Sequence, residues 1–236
     1  MNRVDAIQRV IDRKKARIYL EIGFGHGDCF FNIKAPRKIV VDPVFTFPKK
    51  RTIKQYFRSL AGNIRNRYYS MTSDDFFKYD PERLFTAGLD VAFLDGLHTY
   101  RQALRDVTNT LRVLKDDGII VIHDCNPRSA AEACPADSYR EARDAKPAGW
   151  NGFWSGDVWK TIVYLRSVRS DLGVVVLDFD MGIGIITRKP GSGGRALNYQ
   201  PEEIGNLDYE NLEKDRVNML NLKDAAYLDN VLNEIN

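Results

Sequence analysis

Residues 17–42 read RIYLEIGFGHGDCFFNIKAPRKIVVD, and they contain a pattern that is typical of one local structure. An apolar run leads into three alternating glycines, Gly23, Gly25 and Gly27, and a second apolar run ends on Asp42. This order of strand, glycine turn, helix, strand and acid is how a βαβ unit holds a cofactor that contains adenosine. The glycines let the backbone approach the ligand, and the acid can accept hydrogen bonds from the ribose hydroxyls.

The composition excludes several classes of protein. A hydrophobic content of 44% is enough for a sizeable core, and 35 basic against 32 acidic residues give a net charge of only +3. We expect no nucleic-acid partner, because binding to phosphates requires a strong basic patch. The charged N-terminus does not read as a secretory signal, and no apolar run approaches the roughly 20 residues of a membrane helix. Three cysteines without metal-type spacing favour a reduced, cytoplasmic protein. Because no membrane helix is predicted, we also expect no membrane partner.

Apolar runs and segments of helical periodicity alternate along the rest of the chain. The predicted strands cover residues 18–22, 39–41, 67–71, 89–94, 119–122, 174–179 and 183–187. The predicted helices cover residues 4–16, 27–34, 49–61, 100–114, 157–167 and 225–235, and another begins at residue 73. The last two strands are too close in sequence for a crossover helix, so they should form an antiparallel hairpin. The expected fold class is α/β, a Rossmann-like, mostly parallel seven-stranded sheet with helices on both faces and a closing antiparallel hairpin.

We divide the chain into an N-terminal helix (1–16), a main domain (17–189) and a linker with a helical tail (190–236). Residues 127–155 are too long for an ordinary connection, which predicts a functional lid or a disordered segment within the main domain. All three tryptophans lie in this insertion or just behind it, where they can close over a bound molecule or form a satellite core. The apolar residues of the tail should dock on the main domain or on a second subunit, so a homodimer is one expectation.

The histidines test the expected topology. His26, His98 and His123 are the only three in the chain, and each directly follows a predicted strand. In open parallel sheets, ligands bind outside the carboxyl ends of the strands. We therefore expect all three imidazoles to face one crevice; the alternative is that each satisfies only local backbone groups.

Three motifs carry a family resemblance: LEIGFGHG at residues 20–27, FLDGLHTY at residues 93–100 and GIIVIHD at residues 118–124. With these motifs the chain resembles the class I S-adenosylmethionine-dependent methyltransferases. Within them it is similar to the small-molecule O-methyltransferases that include macrocin-type sugar methyltransferases and cephalosporin-hydroxylase-like proteins. The resemblance implies S-adenosyl-L-methionine as cofactor and a small-molecule acceptor. The implied reaction is metal-assisted methylation of a hydroxyl, on a sugar or a glycosylated metabolite.

The same resemblance implies which residues bind the cofactor. The glycine loop should line the methionine part, Asp42 should hold the ribose, and the residues after the third strand should meet the adenine. The expected set is Glu21, Gly23, Gly25, Gly27, Asp42, Thr72, Ser73, Asp74 and Asp95.

The ends of the fourth and fifth strands carry the acids and imidazoles that this chemistry needs. Neighbouring strand ends lie about 5 Å apart, so the carboxylates of Asp95 and Asp124 can share one ion. The resemblance implies that they bind Mg²⁺ or another divalent cation, with Asn126 as the candidate third ligand. His98 is the first candidate for the general base and His123 the second, with Asp95 beside them in the catalytic set. Alternatively, the two acids only cap turns or orient the histidines, and no metal is bound.

Other functions fit the same fold. A binding or scaffold protein without turnover, an N-methyltransferase and a hydroxylase-like relative all remain alternatives. A nicotinamide-dependent dehydrogenase is disfavoured, since the glycine loop lacks the third small residue that packs helix against strand in the dinucleotide fingerprint.

Overall fold

The structure is a computed structural model that describes residues 1–46, 66–79, 81–190 and 196–234. The helix predicted over residues 49–61 and the glycine-rich part of the predicted linker, residues 191–194, lie outside these ranges.

The described residues contain eight strands. They are β1 (Ile18–Ile22), β2 (Arg37–Val41), β3 (Arg67–Tyr69), β4 (Leu89–Leu94), β5 (Leu114–Ile122), β6 (Gly173–Leu177), β7 (Ile183–Thr187) and β8 (Leu222–Lys223). The α-helices are α1 (Arg3–Lys14), α2 (Ser73–Lys78), α3 (Pro81–Leu84), α4 (Tyr100–Val113), α5 (Tyr139–Ala145), α6 (Trp159–Val168), α7 (Pro201–Ile204), α8 (Tyr209–Leu220) and α9 (Leu228–Glu234).

All of these strands form one sheet in the order β3-β2-β1-β4-β5-β7-β6-β8. Pairing is parallel from β3 through β5, and β7 runs antiparallel to both of its neighbours. The α/β fold, the mostly parallel sheet and the closing hairpin are thereby confirmed. The sheet has eight strands rather than the seven we predicted, because Leu222–Lys223 of the tail pairs in parallel with β6.

Both faces of the sheet are covered, which explains why the central strands read as unbroken apolar runs. Every residue of β1, β4 and β7 is buried. Alternate residues of β1 enter opposite cores: Leu20 packs in the core that includes α4, α6 and α8, and Tyr19 packs in the core that includes α1 and α9. The carboxyl ends of β1, β4 and β5 are thus held by packing from two sides.

The helix predicted over residues 27–34 is wrong, since the segment forms turns. Two isolated helical hydrogen bonds remain, from Phe31 N to the Gly27 oxygen and from Ile33 N to the Cys29 oxygen. The buried ammonium of Lys38 donates to the carbonyl oxygens of Phe30 and Ile33 at 2.6 and 2.9 Å. A side chain therefore satisfies backbone groups that a longer helix would have paired internally.

The chain termini pack together on one face of the sheet. Helix α1 begins after a capping box at Asn2, and Arg13 donates from Nη2 to Asn233 Oδ1 at 2.7 Å. Leu228 and Leu232 of α9 are buried against the same core as α1. The expectation of a homodimer rested on five apolar tail residues. Four of them are buried within a single chain, and Tyr227 is partly buried; the four are Leu220, Leu228, Val231 and Leu232.

Membrane-spanning character is not found among the helices of the described ranges: none of them combines the length and the apolar composition that crossing a bilayer requires.

Candidate active site

A cavity of about 1280 Å³ opens at the carboxyl ends of β1, β2, β4 and β5. One side of it is formed by the glycine loop after β1, and the other side by the acids and imidazoles after β4 and β5. His26, His98 and His123 all line it, as the strand-end rule predicts. All but one of the predicted site residues line this cavity; the exception is Gly27, which packs against the rings of Phe24 and Phe31.

Gly23 lets β1 and β4 approach each other at the cavity floor. Its φ is +90°, and a Cβ atom built there would lie 1.9 Å from the carbonyl oxygen of Asp95. No other residue type fits at this position, since both the backbone conformation and the contact exclude a side chain. Gly25 also has a positive φ, but a Cβ there would meet open space at the cavity wall.

Asp42 holds the glycine loop in place. Its Oδ2 accepts a hydrogen bond from Phe24 N at 2.7 Å, and its Oδ1 accepts one from Val44 N at 2.8 Å. Each carboxylate oxygen keeps a further lone pair that can accept a hydrogen bond, and Asp42 lines the cavity.

Glu21 lies beneath the loop and is 1% exposed. Its Oε2 accepts a short hydrogen bond of 2.5 Å from the hydroxyl of Tyr19. Burial raises the pKa of Glu21 to about 8, so the carboxyl is mostly protonated at neutral pH and can donate a hydrogen bond.

The residues after β3 form the far wall of the cavity. Helix α2 begins at Ser73, but its N-cap is Thr72, whereas the sequence suggested Ser73 as the cap. The amide nitrogen of Gln102 lies 3.1 Å from Ser73 Oγ, 3.2 Å from Asp74 Oδ1 and 3.0 Å from Asp106 Oδ1. Burial raises the pKa of Asp106 to about 6. These contacts fix two polar side chains of the wall, those of Ser73 and Asp74, relative to α4.

Asp95, His98 and Asp124 meet at the strand ends. The Nε2 atom of His98 lies 3.4 Å from Asp95 Oδ1 and 3.3 Å from Asp124 Oδ2. One ligand atom from each of the three residues lies within 4.8 Å of the others. His98 Nδ1 lies 2.9 Å from the carbonyl oxygen of Trp154, which fixes the ring with Nε2 toward the two acids. Asp124 is held at a φ of +61°.

His123 lies behind these acids. Its Nδ1 is 3.0 Å from Asp124 Oδ2 and 3.3 Å from Asp95 Oδ1, and its Nε2 faces Asp180 Oδ1 at 3.6 Å. Burial alone would lower the pKa of His123, but the carboxylates of Asp95 and Asp124 outweigh it and raise that pKa well above its usual value.

The same balance applies to His98. Burial lowers its pKa, and the carboxylates of Asp124 and Asp95 reverse the shift and raise the pKa to about 9. At neutral pH, with only the protein groups present, both imidazoles are therefore protonated on both ring nitrogens. Their positive charges offset the negative charges of Asp95 and Asp124.

Asn126 lines the same cavity, and its side chain is hydrogen-bonded to groups outside this cluster. Its Oδ1 accepts a hydrogen bond from Arg216 Nη1 at 2.5 Å, and its Nδ2 donates to Asp178 Oδ1 at 2.9 Å. The oxygen that would serve as a metal ligand is thus held by an arginine of the C-terminal tail.

Comparison with known proteins gives the family. Residues 20–125 match a family model described as a methyltransferase domain. The chain contains a methyltransferase domain. The matched range begins in β1 and ends just after Asp124, so it includes the glycine loop, Asp42 and the acid–imidazole cluster. The family that the strand-end motifs indicated is thereby confirmed.

Solved structures share the fold of this methyltransferase domain. One of them is the O-methyltransferase TomG from Streptomyces achromogenes, involved in tomaymycin synthesis and solved in complex with S-adenosylmethionine. The TM-score for TomG is 0.53 at 12% identity, over 79% of each chain. An S-adenosylhomocysteine-bound methyltransferase from Podospora anserina gives 0.52 at 18% identity, over 78% of this chain and 76% of the other. No curated protein matches the sequence.

The three tryptophans of the methyltransferase occupy different environments. Trp159 is 1% exposed in the core, and Trp150 lies against Tyr139 at 6.0 Å between ring centroids. Trp154 stacks on His98 with centroids 5.2 Å apart, and its Nε1 donates to the Cys134 oxygen at 2.8 Å. Of the three tryptophans, Trp154 is the one that contacts a predicted site residue. The tryptophans are therefore divided between the core and the site.

Sequence reasoning missed several residues of the methyltransferase site. Gln102 and Asp106 are spaced i and i+4 on α4, which would have shown them on one helical face. Asp180 lies in the connection between β6 and β7, residues 178–182, where a charged residue carries no motif. Arg3 and Arg216 come from the two termini, far in sequence from any strand end, and no local pattern predicts their contacts.

Proposed function

We propose that this protein transfers a methyl group from S-adenosyl-L-methionine to a hydroxyl of a small molecule, assisted by a divalent cation. One observation carries the proposal: a single cavity joins the glycine loop and Asp42 to the cluster of Asp95, His98 and Asp124. An adenosine-binding end and an acid–imidazole end in one cavity would bring a methyl donor beside groups that can take up a proton, which supports the proposal. A cytoplasmic location, favoured by three free cysteines, is part of the proposal.

The cofactor would lie along the glycine loop. Gly25 leaves room for it, Asp42 offers carboxylate lone pairs to the ribose, and Thr72 to Asp74 border the space for the adenine. The neutral carboxyl of Glu21 faces the methionine end. The bound S-adenosylmethionine and S-adenosylhomocysteine of the two solved structures support this choice of cofactor.

Asp95, His98 and Asp124 would hold the cation. Their donor atoms converge, and His98 has its second ring nitrogen bonded to a backbone carbonyl, as metal-bound histidines commonly do. A cation at this site would lower the pKa of an acceptor hydroxyl. The imidazole favours an ion such as Mn²⁺ over Mg²⁺, which prefers oxygen ligands, and Asn126 is a weaker candidate because Arg216 holds its oxygen.

The proton of the acceptor would pass to an imidazole. His98 borders the open cavity with a side chain 22% exposed, whereas that of His123 is 7% exposed. His98 is protonated while both acids bear their full charge. The two roles of His98, cation ligand and base, exclude each other, because Nε2 is the one nitrogen that faces the acids. His98 would act as the base when Asp95 and Asp124 alone hold the cation, whose charge compensates theirs and lowers the pKa of His98 toward neutrality.

The acceptor would enter between the insertion and the hairpin. Phe153 is 52% exposed there, and the guanidinium of Arg128 lies 5.4 Å from its ring centroid. A flat apolar face beside polar groups suits the face of a sugar ring, which supports a sugar or a glycosylated metabolite as acceptor.

Calorimetry and a turnover assay test the proposal. We expect S-adenosylmethionine to bind and NAD not to bind, and S-adenosylhomocysteine to form when a panel of sugar and glycoside acceptors is supplied with Mn²⁺ or Mg²⁺. Asp95→Asn and Asp124→Asn should each lower turnover at least 100-fold while cofactor affinity changes less than fivefold. Failure of S-adenosylmethionine to bind at millimolar concentration would contradict the proposed function.

A further inference from the structure

The N-terminal helix reaches the cavity through its first residue. Arg3 lines the cavity, and its backbone N donates to Asp180 Oδ2 at 2.7 Å. Its Nη1 donates to Asp180 Oδ1 at 3.1 Å. Both carboxylate oxygens of Asp180 are therefore held by one residue of α1, a helix that lies outside the matched methyltransferase domain.

Asp180 belongs to a strained turn that faces the cluster. Asp180 and Met181 have φ values of +47° and +62°, although neither is glycine, and Gly182 has +88°. Such conformations are strained in residues other than glycine and persist only where surrounding contacts enforce them. Cys125 N and Asn126 N donate to the carbonyl oxygens of Gly182 and Met181, at 3.0 and 2.9 Å. The turn is thus joined to the segment that follows Asp124.

His123 lies between this turn and the acids. Its Nδ1 faces Asp95 and Asp124, and its Nε2 is buried and points toward Asp180 at 3.6 Å. Within the described part of the chain, Nε2 has no hydrogen-bond partner. Asp180 is therefore the group that fixes this side of the ring, by charge rather than by a hydrogen bond of normal length.

We propose that Arg3 and Asp180 are positioning residues that hold the His123 imidazole against Asp95 and Asp124. Helix α1 is then a working part of the active site and not only a cover for the sheet. The proposal rests on the proposed function for its kinetic effect, but the orientation of the ring can be measured without turnover.

Kinetics of Arg3→Gln and Asp180→Asn give the first test. We expect each variant to lower kcat about tenfold or more and to leave the KM for S-adenosylmethionine within threefold of wild type. The kcat of the double variant should be no lower than that of the less active single variant, because both substitutions remove the same contact. Arg3→Lys, which keeps a positive charge near Asp180, should recover at least threefold over Arg3→Gln.

Arg9→Gln is the matched control. Arg9 lies on the same helix and forms an ion pair with Asp229, with a side chain 47% exposed and outside the cavity. It should keep wild-type kcat and wild-type imidazole signals. Equal losses in Arg3→Gln and Arg9→Gln, or losses that follow only the thermal midpoint, would show that α1 acts through stability and would overturn the proposal.

Nitrogen-15 NMR of labelled histidine gives the second test. The chain has only three imidazoles, so His→Gln variants assign every ring signal. In Arg3→Gln and Asp180→Asn, the His123 ring signals should move while those of His26 stay in place. Unchanged His123 signals would refute the positioning role. If wild type shows no turnover but the His123 signals move as expected, the proposed function fails and the positioning role stands.

Discussion

At the scale of single residues, the site depends on positions that accept few residue types. Gly23 is needed because its neighbour across the sheet is a backbone carbonyl, and Asp124 lies at a φ that few residues other than glycine adopt. Both positions lie where a strand ends, so local strain and chemical role coincide there.

Gly23→Ala should lower the free energy of unfolding by at least about 2 kcal/mol, because the new methyl group meets the Asp95 carbonyl and φ is positive. Gly25→Ala is the matched control, since it shares the positive φ but meets open space, and it should cost about 1 kcal/mol. Chemical denaturation measures both, and equal losses would contradict the close approach of β1 and β4.

Asp106 gives a prediction about pH. Its pKa in the folded protein is raised to about 6, so the stability it contributes is fully present below the unfolded pKa and is lost as pH rises through 6. Asp106→Asn removes this titration. Between pH 4 and pH 7, the free energy of unfolding of wild type should fall by about 2 kcal/mol relative to the variant. Parallel pH profiles of the two proteins would show that the carboxyl is not shifted.

At the scale of elements, a strand or helix is predictable where the residues of that segment alone determine its structure. Strands β1, β4 and β7 are predictable because their apolar runs are buried on both faces. The helix predicted over residues 27–34 does not form. Lys38 lies outside this segment, and its ammonium donates hydrogen bonds to two carbonyl oxygens within it. The two-residue β8 is too short to give any sequence pattern, and only the sheet edge beside it makes it a strand.

The tail is the element whose packing can be tested most directly. Leu228→Ala should lower the free energy of unfolding by about 2–5 kcal/mol, because Leu228 is 0% exposed. Val217→Ala serves as the control, since Val217 is 67% exposed, and it should stay within about 0.5 kcal/mol of wild type. If both variants unfold like wild type, the tail does not pack on the chain as described.

At the scale of the whole molecule, the cavity is assembled from parts that are distant in sequence. The motif residues that the sequence identified, such as Asp42, Asp95 and His98, line it, as the topology rule for parallel sheets predicts. The rest of the lining comes from the insertion, the hairpin turn and the first residues of the chain. Their positions follow from long-range packing, which no local pattern encodes.

The insertion provides the prediction at this scale. Phe153→Ala should raise the KM for the acceptor at least fivefold and leave the free energy of unfolding within about 0.5 kcal/mol, because the ring lines the cavity and is half exposed. Tyr79→Ala, at 81% exposure and outside the cavity, should change neither quantity. A loss of stability without a change in KM would assign Phe153 to structural packing instead.

Strand β8 also protects the sheet from other chains. Strand β6 reads GVVVL, without a charge or a proline to discourage pairing, and it would otherwise be the outermost strand. Pairing of Val176 and Leu177 with Leu222 and Lys223 covers the end of this edge. Exposed β-branched edges of this kind template strand-to-strand aggregation. A chain that lost its last fifteen residues would therefore keep its motifs but expose an unpaired edge of β6, through which neighbouring molecules can aggregate.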